Sequence, residues 1–333
     1  MTSKQEIIDA MNREHEGTPP PALFSQTATF GQMDACGAGW PEANFDAEKM
    51  AELALQASRM FGFATVRIPF DITAEAERLG CTIDRDAKGR QPAVIDTPWK
   101  TEDVGEPPEL MPVDEFIEGG RCAMHIEVTR RLSKEHPELF LTSCMIGPGG
   151  VAGYLMGMEN FMIASFMDPE ATAKWVAAVT PYQCEYAKAL SEASDNVFMI
   201  TGGAEEIASP DMFDLFNGFE SKVFACMKDS FSVAHCCGTT SKVLEKLAAM
   251  GSNALSVESH DDPQSIADRI GDKVVLVGGV DPVGTLMQGT PEEVRKSAWR
   301  AADAGYCLIT PECGVPPVTP NENLLALSRY RDA

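Results

Sequence analysis

The sequence has no run of 18 consecutive apolar residues, and its opening stretch, MTSKQEIIDAMNREHEG, carries charges where a signal peptide needs an apolar core. Neither a membrane span nor a secretory leader is expected, and the reading is a cytoplasmic protein. Cationic residues are scarce: 27 lysines and arginines stand against 50 aspartates and glutamates, a formal net charge of -23. A surface of that sign repels phosphate backbones and anionic lipid, so nucleic acid and membrane surfaces are excluded as expected partners.

The 10 cysteines include no Cys-x-x-Cys pair, which argues against a structural zinc knuckle, and their scatter over 333 residues does not resemble the framework of a small disulfide-stapled domain. Most are expected to be reduced and buried. There is no glycine-rich phosphate loop, internal repeat or low-complexity tract; the GGVAG at 149–153 is too weak a signal for a phosphate site. An apolar fraction of 44% with 23% charged residues is ordinary for a globular chain with a sizeable core. One domain over 1–333 is the expectation, because single α/β barrels routinely reach this length.

After a polar N-terminal helix and the breaker TPPPA, short apolar runs alternate with helical patterns. Strands are expected at 23–27, 66–70, 139–146, 197–201, 232–237, 254–258, 274–280 and 306–310, with helices at 47–60, 169–192, 210–228, 240–250, 292–304 and 320–331. Eight such runs suggest a closed parallel (β/α)8 TIM barrel with an N-terminal helical extension. A doubly wound open sheet would show the same alternation. The polar, proline-rich stretch at 81–112 reads as a long excursion of the kind that forms functional loops or lids.

The chemistry concentrates in two places. In FSVAHCCGTT, residues two apart on a strand share a face, so His235 and Cys237 point one way and Cys236 the other. In YCLITPECGVPPVTP, Cys313 falls just past a strand's C-terminal end, where barrel enzymes assemble their sites. One imidazole and two thiolates from separate strands suit a catalytic zinc ion with a fourth position left open, although buried cysteines and histidines also occur as packing. Glu258, ending the next strand in ALSVESHDD, is either a displaceable fourth ligand or a solvated carboxylate. His125, His136 and His260 read as surface or loop residues.

At these residues the chain resembles the methylcobamide:coenzyme M methyltransferases of the uroporphyrinogen decarboxylase superfamily. The likeness includes Gln26-Thr27, Trp40-Pro41-Glu42-Ala43, Arg90-Gln91-Pro92, Ser209-Pro210, His235 to Gly238, Ser256-Val257-Glu258 and Pro311-Glu312-Cys313-Gly314, and it ends with Pro317 to Pro320, Glu322 and Asn323. The family's His-x-Cys, followed after a long gap by Cys-Gly, falls on His235, Cys237 and Cys313, here 2 and 76 positions apart. The resemblance implies a uroporphyrinogen decarboxylase-like barrel and Zn2+ held by those three residues. It also implies methyl transfer from a methylcobamide (corrinoid) to a small thiol such as coenzyme M. Similarity to cobalamin-independent methionine synthase places Glu258 as a further metal ligand.

The chain lacks the Asp-x-His-x-x-Gly corrinoid signature, so a separate methylated corrinoid protein is the expected partner, docking over the C-terminal face of the barrel. An acceptor like coenzyme M brings a sulfonate, for which Gln26, Arg67 and Arg90 are candidates by position. Cys236 stands where coenzyme M enzymes often carry isoleucine, and the loop from Thr201 to Glu206 also departs from their pattern, leaving another thiol or a pterin open as acceptor. The alternative within the superfamily is a tetrapyrrole decarboxylase, for which Asp71 in IPFDIT stands near the catalytic aspartate. The arginine-rich N-terminal signature of that enzyme is absent.

Overall fold

The structure is a computed structural model that describes residues 2–25, 27–99, 105–205, 209–260 and 262–332. Nine strands are present among the described residues: β1 (Thr65–Ile68), β2 (Thr82–Ile83), β3 (Val94–Asp96), β4 (Phe140–Ile146), β5 (Asn196–Ile200), β6 (Phe231–Cys236), β7 (Ala254–Val257), β8 (Val275–Val280) and β9 (Leu308–Pro311). Seven form one parallel sheet in the order β1-β4-β5-β6-β7-β8-β9, while β2 and β3 make a small antiparallel hairpin inside the proline-rich excursion.

An eighth stave joins the two ends of that sheet. Ala22 N–H donates to the Ile309 carbonyl at 2.9 Å and Ile309 N–H to the Pro20 carbonyl at 3.1 Å, while on the other side Leu23 N–H reaches the Thr65 hydroxyl at 2.9 Å. The result is the expected (β/α)8 barrel. Its first stave differs from the expected strand at 23–27: only a bridge at Pro21 pairs in ladder fashion. The prolines at 19–21 have no N–H to give a ladder, so the segment closes the barrel with few backbone bonds.

Side-chain parity sorts the core into layers. Phe140, Phe198, Val233, Ala254, Val277 and Leu308 fill the barrel interior together with Phe24, and Ile7, Ala10 and Met11 of the helix Lys4–Met11 join the same cluster. The N-terminal extension therefore plugs the barrel. Outward-facing Ala234, Cys236, Leu255, Leu276 and Ile309 pack instead against the surrounding helices. Strands buried on both faces read as unbroken apolar runs, which is why they were visible in the sequence.

Helices were less completely visible. Pro169–Ser191, Pro210–Phe224, Pro291–Ala304 and Asn321–Ser328 match expected segments, and the 47–60 segment divides into Ala47–Ala54 and Gln56–Phe61. The 240–250 segment keeps only Leu244–Ala248, whereas Gly120–Glu135, Pro148–Met156, Met158–Met167 and Pro263–Ile270 were not anticipated. GGVAG at 149–153 lies within Pro148–Met156, most of whose side chains are buried, so no polar face marked it as a helix.

Candidate metal centre and its cavity

Parity on β6 turns Val233 and His235 inward and Ala234 and Cys236 outward, and the strand stops just before Cys237. The His235 ring stacks on Phe198 of the neighbouring strand with centroids 5.1 Å apart. Its Nδ1 lies 3.1 Å from the Ser256 hydroxyl on β7, at the Cα position paired with His235 across the two strands. That contact leaves Nε2 to face the strand ends, where Cys237 Sγ lies 3.1 Å away.

Cys313 follows β9 and completes the group from the far side of the barrel mouth, its Sγ 3.5 Å from Cys237 Sγ. The three donor atoms lie within 4.8 Å of one another, and no other such group of histidine, cysteine and carboxylate donors occurs among the described residues. Two bonds of about 2.3 Å meeting at a tetrahedral angle place their sulfurs about 3.8 Å apart, so the observed separation suits one shared zinc ion. Uncoordinated, the pair polarises: the hydrogen bond from Cys237 holds the Cys313 thiol well below its usual range, at about 4, against the opposing effect of burial and with help from His235. Cys237, as the donor to Cys313 and itself mostly buried, is pushed strongly upward.

Cys236 faces away, as its parity requires, with Sγ 3.5 Å from the Gly202 carbonyl. Glu258 is near but outside the triad: its Oε1 accepts the Gly238 N–H at 2.9 Å. It thereby braces the turn after Cys237, and with His260, Asp281 and Glu312 it lines a separate acidic hollow.

His235, Cys237 and Cys313 open onto a cavity of about 560 Å³, walled by Phe198, Ile200 and the run from Gly314 to Pro317. The long excursion supplies the opposite wall through Gly89, Arg90, Gln91 and Ala93. Arg67 enters from β1, buried, with one Nη donating to the Pro69 carbonyl at 2.6 Å. Ser25 Oγ, Trp40 Nε1 and Arg67 Nε, all from residues lining this cavity, are buried without a hydrogen-bond partner among the described residues. Buried polar groups are rarely left so. Arg67 and Arg90 stood out in the sequence, whereas Ser25 did not and Trp40 did so only as part of a motif. Gln26 and Glu206 lie outside the described residues.

Two residues singled out in the sequence take other places. Asp71 does not line the cavity; it is fully buried, paired with Arg121 at 2.6 Å and accepting from Thr73. Burial raises its pKa, but the Arg121 charge prevails and holds it below the ordinary carboxylate value. His125 is corrected from surface to core: it is fully buried in Gly120–Glu135, its Nδ1 3.0 Å from the Tyr186 hydroxyl, and burial with the nearby Arg121 lowers its pKa to about 3. A helix unseen in the sequence had concealed its inward face. His136 at a helix end and His260 in a turn stand where expected.

The model of the uroporphyrinogen decarboxylase (URO-D) family matches residues 2–333. The methylcobamide:CoM methyltransferase MtbA of Methanosarcina acetivorans is 33% identical over 329 residues, covering 97% of this chain and 95% of that one. MtaA of Methanosarcina barkeri, also a methylcobamide:CoM methyltransferase, is 31% identical over 99% of this chain and 98% of its own. A solved methyltransferase from Methanosarcina mazei superposes with a TM-score of 0.91 at 29% identity, over 99% of this chain and 98% of that one. No helix among the described residues is long and apolar enough to cross a membrane.

Proposed function

This chain belongs to the uroporphyrinogen decarboxylase family, and from that premise we propose that it is a methyltransferase moving a methyl group from a methylated corrinoid to a small thiol. The observation that carries the reading is the convergence of His235 Nε2, Cys237 Sγ and Cys313 Sγ within 4.8 Å at the mouth of a cavity. His235, Cys237 and Cys313 would hold zinc, whose chemistry is to keep an acceptor sulfur as the nucleophilic thiolate at neutral pH. The full-length likeness to the two methanosarcinal methylcobamide:CoM methyltransferases supports the same donor and acceptor classes.

The chain's own residues prepare that chemistry. Ser256 holds Nδ1 of the His235 ring, which leaves Nε2 turned toward the cavity. Two thiolates and a neutral imidazole would balance the charge of a divalent ion, so an added sulfur anion remains electron-rich. Ile200, Phe198, Val315, Pro316 and Pro317 keep one side of the cavity apolar and restrict water around that sulfur. In the transfer the S–C bond forms as the C–Co bond of the donor breaks, its electron pair stays on cobalt, and the acceptor has already lost its proton.

The unpartnered Ser25, Trp40 and Arg67 donors favour an acceptor that carries an anionic group besides the thiol, a sulfonate being one such group. A tetrapyrrole decarboxylase has less support, because Asp71 is enclosed with Arg121 and Thr73 and does not line the cavity. We place the whole of 1–333 in one domain and the corrinoid protein over the strand C-termini, where the cavity opens. Demethylation of methylcobalamin with a panel of thiols, alongside zinc analysis, tests the function. Turnover with an anionic thiol by zinc-containing protein supports it; the absence of turnover with every thiol and with a corrinoid protein overturns it.

A further inference from the structure

We propose that a second cavity, between the ends of β4 and β5 and the helix Pro210–Phe224, binds a small alkylated onium ion against Glu220 and an aromatic wall. The cavity measures about 170 Å³ and is lined by, among others, Met158, Phe161, Met212, Phe213, Phe216 and Glu220. It adjoins the first cavity through Ile200, which lines both, but it contains none of the three metal-site donors.

Glu220 is the unusual element. It is only 2% exposed, and its Oε1 accepts the Gly202 N–H at 2.9 Å. Among the described residues, no lysine, arginine or histidine lines the cavity with it. Pinning Gly202 requires only a carbonyl oxygen, which a glutamine would supply without an ionisable group in apolar surroundings. Burial raises this carboxyl to about 8, with the Gly202 N–H opposing the rise. A cation brought beside it would stabilise the carboxylate and draw off the proton.

The walls select among cations. A hydrated metal ion or primary ammonium needs several oxygen acceptors, whereas methionine and phenylalanine side chains offer almost none. Besides Glu220, only Thr201, whose hydroxyl is engaged with the His235 carbonyl, and Asn217 bring side-chain oxygens to the lining. An onium ion covered by alkyl groups needs no hydrogen bonds and is attracted to ring faces, more strongly where water is excluded. Phe161 and Phe216 stand 5.8 Å apart between centroids, tilted by 33°, and present part of that wall. Gly203, at φ +128°, lets Phe213 close in: a Cβ there would meet its ring at 3.0 Å.

The test uses full-length protein with 13C-methyl methionine, reading Met158, Met162 and Met212 by NMR during titration with tetramethylammonium chloride at constant ionic strength. Neopentanol serves as the neutral comparison. Saturable shifts confined to these methyls are expected, with the cation binding roughly tenfold or more tighter than the alcohol. In Glu220→Gln that preference should disappear. Should this variant not fold, Phe216→Leu keeps the charge but removes a ring and should weaken the cation selectively. Equal binding of the alcohol, a preference that survives both changes, or shifts spread over all 17 methionines as general attraction to an acidic surface would each overturn the assignment.

Discussion

His235 and Ser256 face each other on paired strands, and the 3.1 Å contact between Nδ1 and the serine hydroxyl decides which ring nitrogen is offered to the cavity. A partner of this kind typically contributes 10- to 100-fold in metal affinity. Ser256→Ala should therefore lower zinc affinity by roughly that range while leaving the fold intact. Zinc titration against a competing chelator gives the value; an unchanged affinity would mean that the ring is held by Phe198 stacking alone.

Cys237→Ala and Cys313→Ala should each abolish zinc retention and methyl transfer, because each removes one of three converging donors. Cys236→Ala should spare both, since its sulfur packs toward Gly202 and away from the other donors, at a stability cost of roughly 1–3 kcal/mol for emptying a buried position. Metal content after dialysis and turnover with thiol separate the three variants. Equal metal loss in all three contradicts the strand-face assignment.

Glu258→Gln retains an oxygen able to accept the Gly238 N–H and so isolates the effect of charge. If Glu258 also serves the metal at rest, the variant should bind zinc more weakly without thiol and almost normally with it. Paired titrations in the two conditions measure the difference, and identical affinities in wild type and variant would restrict Glu258 to bracing the turn.

Arg121 is buried between Asp71 and Glu77 and also reaches the Thr73 hydroxyl at 2.7 Å. Arg121→Ala strands a fully buried carboxylate, a change expected to destabilise the protein by roughly 3–5 kcal/mol in denaturant unfolding. The Asp71 pKa is depressed in the folded protein, so its contribution is present above the ordinary value of 3.8 and lost as pH falls through the folded value. In Arg121→Ala burial is left to raise the Asp71 pKa unopposed, so the loss of stability should be greatest near neutral pH and shrink as acid protonates the stranded carboxyl.

Glu220 has the opposite sign. With its ordinary value of 4.5 raised to about 8, the folded state holds a proton that the unfolded state releases across that interval, so stability falls as pH rises. The steepest slope from this group is about 1.4 kcal/mol per pH unit. Glu220→Gln should flatten the wild-type slope over that window, measured as denaturation midpoints from pH 5 to 8. An unchanged slope would mean that Glu220 ionises normally.

Most of the barrel was legible because seven of its staves are strands buried on both faces that stand out as apolar runs. Helices were less legible: Pro148–Met156 is mostly buried and presents no polar face, while Ala74–Arg78 and Val113–Phe116 span only 5 and 4 residues, too short to show a period. His125 was misplaced with the helix that carries it. The opposing parity of Cys236 and Cys237 followed from the two-residue repeat of an extended chain, which depends on no distant contact.

The sequence by itself therefore determined the alternation of strands and helices, and which cysteine beside His235 faces its neighbour. Only closure of the barrel decided that Cys313, 76 positions after Cys237, would come within 3.5 Å of it, and that Ser25, Trp40 and Arg67 would surround the same cavity. The reason is physical: side-chain direction along a strand is local geometry, whereas distances between strands depend on how every stave twists and pairs around the barrel.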